Sequence, residues 1–272
     1  MKPPALKKGD SVIVLSPSGR VNEEKVRENS KILKSWGLTV SFGKHAFSFF
    51  NKLAGKDENR LHDLQQALDN PNIKAVFCSR GGYGLVRIID KLELSGFVKN
   101  PKWIVGFSDV TVLHNHIHTH TGIATLHAPM VNSYDSTPEI GITSLKQALF
   151  TDNYQLPTSF NKKTIVGGNL AIVYSLLGTN SDIDTSGKVL FLEEIGEYAY
   201  NIDRMIHGLK KAGKFNKLNG LLIGQFSGTK EDDFGFTVQE IIENCTQEYD
   251  FPIYYNIPVG HVDDNRALVL GN

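Results

Sequence analysis

Cysteine, net charge and long apolar runs are all scarce in this chain. Only two cysteines, Cys78 and Cys245, occur in 272 residues. Alone they cannot complete a four-ligand zinc site or a disulfide scaffold, and a chain of this length can bury enough surface to need neither. Cys78 closes the apolar run Ala75-Val76-Phe77 and reads as a core residue, and Cys245 sits on an amphipathic pattern and reads the same way. Lysine plus arginine total 29, and aspartate plus glutamate also total 29. That balance leaves no basic excess for a nucleic-acid backbone or an anionic membrane surface. No run approaches the ~18 apolar residues of a membrane span, and the first one, at 12–15, is too short for a secretory signal. The expectation is a cytoplasmic protein in a reducing compartment, with neither nucleic acid nor membrane as partner.

Familiar phosphate and metal signatures are missing as well. Neither G-x-x-x-x-G-K-[ST] nor G-x-G-x-x-G occurs where a strand hands over to a glycine-rich turn. H-E-x-x-H is absent too. His114, His116, His118 and His120 do make two i, i+4 pairs, but the pairs face different directions. We expect an exposed, partly polar helix there and no metal site.

What is present is an alternation of strand and helix signals. Hydrophobic residues make up 40% and charged residues 21%, a globular balance. Strands are expected at 11–16, 38–42, 75–78 and 103–106, with helices at 23–36, 57–69, 84–91 and 109–119. Near-continuous apolar strands between amphipathic helices indicate a parallel sheet covered on both faces, with ligands beyond the carboxyl ends of its strands. A helix at 145–150 and a polar stretch at 151–163 follow, and the domain boundary falls in that stretch. Later come strands at 189–192 and 221–225, a helix at 201–212, and a capping box, Thr237 to Glu240, that opens another. There is no internal repeat.

Four segments could carry chemistry. In Trp103-Ile104-Val105-Gly106-Phe107-Ser108-Asp109, a buried strand runs into a helix and Ser108 occupies the turn between them. That is nucleophile-elbow geometry, although Val110 replaces the second glycine of G-x-S-x-G. The plainer reading is a helix N-cap by Ser108 or Asp109. In Ser79-Arg80-Gly81-Gly82-Tyr83-Gly84, three glycines in four positions let the backbone approach a ligand and aim N–H groups at it, or simply make a tight turn. Glu193 and Glu194 end an apolar run and could orient a histidine or remain solvated loop acids. His261 follows Gly260 in a turn, where a lone histidine is more often surface than catalyst.

Together these segments resemble the LD-carboxypeptidase family, the serine peptidases of the S66 group. The resemblance spans nearly the whole chain. It runs from Leu6-Lys7-Lys8-Gly9-Asp10 and Ser16-Pro17-Ser18, through Ala54-Gly55-Lys56-Asp57-Glu58-Asn59-Arg60, Arg80-Gly81-Gly82-Tyr83-Gly84 and Gly106-Phe107-Ser108-Asp109, to Gly167-Gly168-Asn169-Leu170, Leu192-Glu193-Glu194 and Gly260-His261. It implies a Ser108 nucleophile, a His261 general base and a Glu193 carboxylate behind it. The Asp109 N–H and an N–H of Gly81 or Gly82 become the oxyanion donors. Arg80 and Arg204 are candidates to meet the substrate's carboxylates.

The implied architecture is an N-terminal Rossmann-like parallel-sheet domain, residues 1–150, and a smaller β-rich C-terminal domain, residues 164–272, with the site between them. The implied reaction removes D-alanine from the L-centred diamino acid of murein tetrapeptides, in cytoplasmic peptidoglycan recycling, with no cofactor and no metal. A homodimer is expected. Two departures stand out. The chain stops soon after His261, where relatives commonly add a strand, and Phe107 replaces their Tyr or His, an exchange expected to be neutral. Two other readings compete: a microcin-immunity-type peptidase of the same family, which needs an aromatic platform for a base, and a non-catalytic binding protein on the same scaffold.

Overall fold

A computed structural model of the chain describes residues 1–152, 154, 163–230 and 233–271. Most of the 151–163 stretch, where the sequence places the domain boundary, lies outside the described residues. The first part contains β1 (Ser11–Leu15), α1 (Glu23–Asn29), α2 (Lys31–Ser35), β2 (Thr39–Phe42), α3 (Asp57–Asp69), β3 (Ile73–Cys78), α4 (Ser95–Lys99), β4 (Trp103–Gly106), α5 (Thr111–Thr121), β5 (Thr125–His127) and α6 (Glu139–Phe150). The second contains β6 (Ile165–Asn169), α7 (Leu170–Ser175), β7 (Val189–Ile195), α8 (Ala199–Lys211), β8 (Gly220–Ser227), α9 (Val238–Thr246), β9 (Ile253–Tyr254) and β10 (Leu268–Leu270).

Two sheets result. One has six strands in the order β10-β5-β4-β3-β1-β2, and the other has four in the order β6-β7-β8-β9. All pairings are parallel except that of β10 with β5. The expected α/β fold with an N-terminal parallel sheet is therefore present. The second sheet is also parallel, and its apolar residues pack with those of α7, α8 and α9. The final strand leaves the second unit and pairs antiparallel with β5, so it forms an edge of the first sheet.

Apolar faces decide the layering. Leu64, Leu68, Leu113 and Ile117 from α3 and α5 join Val76 and Ile104 on one side of the first sheet. Val26, Leu33, Leu145 and Leu149 from α1, α2 and α6 join Val14, Phe77 and Val105 on the other. This is the two-sided burial that near-continuous apolar strands require. Helix 23–36 breaks in two at Ser30, whose hydroxyl donates to Arg27 O at 2.7 Å and competes with the helical ladder. The expected helix at 84–91 is instead two 3-10 turns, because Gly84 enters it at φ +139°. The Thr237–Glu240 capping box forms with both reciprocal bonds.

Helix α5 corrects the reading of the histidine run. His114 and His116 are buried, since α5 lies between the first sheet and β6 and α7. His114 Nε2 meets Gly106 O at 2.8 Å, and His116 Nδ1 meets Ser181 Oγ at 2.9 Å. Burial holds both imidazoles down to about 4. The same helix begins at the seam between the units. The Asn169 N–H donates to Thr111 Oγ1 at 3.1 Å, and a methyl on Gly168 would lie 2.5 Å from that oxygen. The turn before α5 thus packs directly on the end of β6.

Candidate active site

The turn between β4 and α5 forms because of what surrounds it. A Cβ on Gly106 would lie 2.9 Å from Val110 and 3.1 Å from Cys78, so only glycine lets the turn double back tightly here. Ser108 then takes φ +64°, a left-handed conformation. For a residue with a side chain this costs about 1–2 kcal/mol. Such strain persists only where neighbours over-determine the backbone. Ser108 is not a helix cap: it makes no side-chain cap bond, and its hydroxyl has no hydrogen-bond partner among the described residues. The elbow reading of the turn therefore describes its geometry better than the cap reading does.

The glycine loop after β3 lies on top of this serine. A Cβ on Gly81 would sit 2.8 Å from Ser108 Cβ and 2.9 Å from its Oγ. Gly82 at φ +104° and Gly84 at φ +139° hold conformations that other residues rarely adopt. Gly19 N donates to Gly81 O at 2.9 Å, which ties the loop to the turn after β1. Among the described residues no hydrogen bond uses the N–H of Gly81, Gly82 or Asp109. These free donors border the serine.

Glu193 and Glu194 lie near the end of β7, and strand alternation sends them opposite ways. Both are buried, so neither is a solvated loop acid. Glu194 turns towards α7 and accepts from Ala171 N at 2.7 Å, Asn169 Nδ2 at 2.9 Å and Ile195 N at 2.8 Å. Burial raises its pKa, and these bonds pull it back. Glu193 turns towards the C-terminal turn, where its Oε2 meets His261 Nδ1 at 2.7 Å. Its Oε1 has no partner among the described residues. Gly260, at φ +134°, makes this contact feasible, since a Cβ there would lie 3.0 Å from Glu193 Oε2. The Ser227 hydroxyl also donates to His261 O at 2.8 Å and fixes the backbone of that turn.

No hydrogen bond among the described residues joins the histidine to the serine, but both adjoin Phe107. The His261 ring lies on the Phe107 ring, with centroids 4.8 Å apart, and Phe107 immediately precedes Ser108. Phe107 also contacts the buried His127 ring at 5.5 Å. It thus packs between the two imidazoles. Glu193–His261 is joined directly, and Ser108 faces the glycine loop.

The two arginines separate. Arg80 is exposed and bonds Arg20 O at 3.1 Å. With Arg20, Asn132, Phe47 and Phe49 it lines a groove of about 510 Å³ that begins one residue from Gly81. Arg204 sits on α8, bonded to Asn201 at 2.7 Å, with its guanidinium over the Tyr200 ring. No hydrogen bond or ion pair among the described residues joins it to Ser108, Glu193 or His261. Sequence reasoning missed the Asp109 side chain, which is buried and bonds Ser18 and Leu85.

Among the described residues, one group has metal-ligand spacing. His45, His62 and Asp63 bring ligand atoms within 4.8 Å of one another. Asp63 already accepts the His45 N–H at 2.7 Å and the His45 ring at 2.9 Å, which ties the loop after β2 to α3. It shares no residue with the serine turn. Cys78 is equally inert, its thiol pushed up to about 12 by burial.

A free hydroxyl on a strained strand-to-helix turn, beside a histidine oriented by a buried carboxylate, suits a hydrolase that attacks carbonyls through serine. Residues 12–128 match the LD-carboxypeptidase N-terminal domain, and residues 163–272 match the LD-carboxypeptidase C-terminal domain. The chain belongs to the LD-carboxypeptidase family and is a serine carboxypeptidase hydrolase. It is 33% identical to the probable murein peptide carboxypeptidase of Bacillus subtilis, over 99% of this chain and 89% of that protein. Among solved structures, an MccF-like protein from Bacillus anthracis superposes with TM-score 0.88 and 27% identity, over 100% of this chain and 94% of that one. The muramoyltetrapeptide carboxypeptidase of Oxalobacter formigenes gives 0.85 and 26%, over 96% and 92%. No described helix is long and apolar enough to cross a membrane.

Proposed function

We propose that this carboxypeptidase removes the terminal D-alanine from murein tetrapeptides, cutting its bond to the L-centre of the diamino acid at position three. The division into residues 1–150 and 164–272 frames the reaction, with Ser108 supplied by the first unit and Glu193 and His261 by the second. The observation that carries the reading is the 2.7 Å Glu193–His261 contact, with the imidazole packed at a tilt against Phe107, the residue before the left-handed Ser108. His261 takes the serine proton as Oγ attacks the scissile carbonyl. It returns that proton to the departing D-alanine amine, and water then hydrolyses the acyl-enzyme by the same relay. Glu193 holds the imidazole tautomer and offsets the imidazolium charge. The Asp109 N–H and the Gly81 or Gly82 N–H receive the oxyanion. His261 and Ser108 draw into hydrogen-bond range when substrate fills the cleft, since catalytic bonds are often long without it. Arg80, at the mouth of the groove, meets a substrate carboxylate.

A second reading has one observation in its favour. Tyr198 and Tyr200 stack with centroids 5.5 Å apart, both partly exposed, with Lys230 over one ring and Arg204 over the other. A base could stack on such a platform, as a microcin-immunity-type peptidase requires. Mass spectrometry decides between them. Incubation with the tetrapeptide releases one D-alanine, whereas an acyl-sulfamoyl nucleotide is left intact. Ser108→Ala abolishes the release, by roughly a million-fold in kcat. Release by Ser108→Ala at the wild-type rate would overturn the serine mechanism. Cleavage of the nucleotide alone would favour the second reading. The setting we infer is cytoplasmic recycling by a homodimer, which cell fractionation and light scattering test.

A further inference from the structure

Asp109 does more than follow the nucleophile. It is 2% exposed and has no ion-pair partner among the described residues. A buried carboxylate without a counter-charge is costly unless hydrogen bonds satisfy it. Two do, and both end on the same oxygen. Asp109 Oδ2 accepts the Ser18 hydroxyl at 2.6 Å and the Leu85 N–H at 3.0 Å. Ser18 belongs to the turn after β1, and Leu85 directly follows the glycine loop. One oxygen therefore ties the nucleophile turn to the turn after β1 and to the C-terminal end of the glycine loop.

The consequence lies in the peptide plane between Gly81 and Gly82. Its carbonyl accepts the Gly19 N–H at 2.9 Å. A trans peptide is planar, so its C=O and N–H point opposite ways. Fixing the Gly81 carbonyl fixes the direction of the Gly82 N–H. Gly19 is the residue next to Ser18, and a Cβ on it would lie 2.8 Å from that same carbonyl oxygen. The ties run from Asp109 to Ser18, from Gly19 to Gly81, and through the plane to Gly82, while the Leu85 bond anchors the loop's far end.

We propose that the Asp109 carboxylate is a positioning residue: it sets the aim of the Gly82 N–H against the N–H of Asp109 itself, so one residue supplies an oxyanion donor and orients the other. This rests on the serine reading above. An apolar residue in its place would leave a buried hydroxyl and a buried N–H unpaired. The arrangement keeps the donors fixed before charge develops, which is where such sites gain most of their effect.

The test separates aim from mere stability by comparing ground-state and transition-state binding. Ser18→Ala removes one tie with little volume change. It should lower kcat about tenfold with KM within about twofold, and should weaken a peptide boronate, which forms a tetrahedral adduct on serine, by the same factor as kcat/KM. Affinity for the product tripeptide should not move. Asp109→Ala should lose about 100- to 1000-fold in kcat, the loss seen when one oxyanion donor is removed. Asp109→Asn retains a single oxygen able to accept both bonds and should recover at least tenfold of that. Should Asp109→Ala fail to fold, Ser18→Ala and Asp109→Asn still carry the test. Wild-type kcat in Ser18→Ala would overturn the proposal, as would equal weakening of boronate and product. Neither result touches the serine reading, which falls only if Ser108→Ala stays active.

Discussion

Gly81→Ala is the sharpest steric probe of the nucleophile site. The added methyl would lie 2.8 Å from Ser108 Cβ and 2.9 Å from Ser108 Oγ. Ordinary carbon–carbon contacts are about 3.5–4.0 Å. Gly81 itself is not in the left-handed region, so alanine meets no torsional penalty and the clash is the whole effect. Ser108 cannot yield cheaply, because its φ is +64° and the next residue is buried and doubly bonded. Relief therefore displaces the hydroxyl or lifts the glycine loop, each by something near 1 Å. A misplacement of that order costs about 100-fold in rate, equivalent to about 2.7 kcal/mol of transition-state stabilisation. Overpacking costs about 1–3 kcal/mol of folding stability. Gly122→Ala provides the control. Gly122 ends α5 at φ +65°, and nothing lies within 4 Å of an added methyl, so it loses about 1 kcal/mol of stability and keeps its kcat. The assay is D-alanine release from the tetrapeptide, read with thermal melting of both variants. A Gly81→Ala enzyme within threefold of wild-type kcat would refute the idea that this backbone walls the nucleophile.

Two further outcomes follow from other parts of the site. Glu193→Gln keeps the buried volume but loses the charge that holds the His261 tautomer, and should lower kcat by roughly 10⁴ with KM little changed; a variant retaining a tenth of wild-type activity would remove Glu193 from the relay. His114 makes folding stability depend on pH. Burial holds its folded pKa at about 4, against an ordinary value of 6.5. Below pH 6.5 the unfolded chain takes up a proton that the folded chain refuses until about pH 4. Stability is thus fully present above 6.5 and falls as pH drops through this window. Between pH 7 and pH 5 the loss from His114 is about 2 kcal/mol. Urea titrations of wild type and His114→Gln should show that part of the slope vanish, and equal slopes would count against it. His116 and His127, also held low by burial, steepen the wild-type curve in the same direction.

The elements that carry their own signal were legible. Helix α3 spans the predicted 57–69, because its leucines, first-turn acids and following proline all agree. Strand β4 and its turn were equally plain, since Gly106 interrupts an apolar run just before a serine. Helix α5 shows why burial is harder to read. Four histidines make a sequence look polar, yet His116 is paired with a serine 65 positions away, and only the packing of the second unit brings the two together. β5 and β10 have three residues each, too few for any periodicity, and β10 is held at the sheet edge only by pairing with β5. In β6 the pair Gly167 and Gly168 removes the side chains a strand signal needs. Their absence is what lets Phe191 O and Thr111 approach, because added methyl groups would lie 2.1 and 2.5 Å from them.

The same distinction runs through the candidate site. Ser108 and Glu193 could be singled out because each follows a readable apolar run, whereas His261 stands in a turn and only the family resemblance pointed to it. The carboxylate of Asp109 was not visible, because its partners lie 91 and 24 positions away and neither segment resembles a ligand for it. Gly224 was silent for a similar reason. A methyl on Gly224 would lie 2.5 Å from Val259 O and 3.1 Å from Glu193 Cβ, so this glycine only makes sense once β8 and the His261 turn are seen to cross over Glu193. Residues that do chemistry are marked by type, which sequence preserves. Those that bring them into range are marked by contact, and here the contacts are made by glycines and by one oxygen shared between two loops.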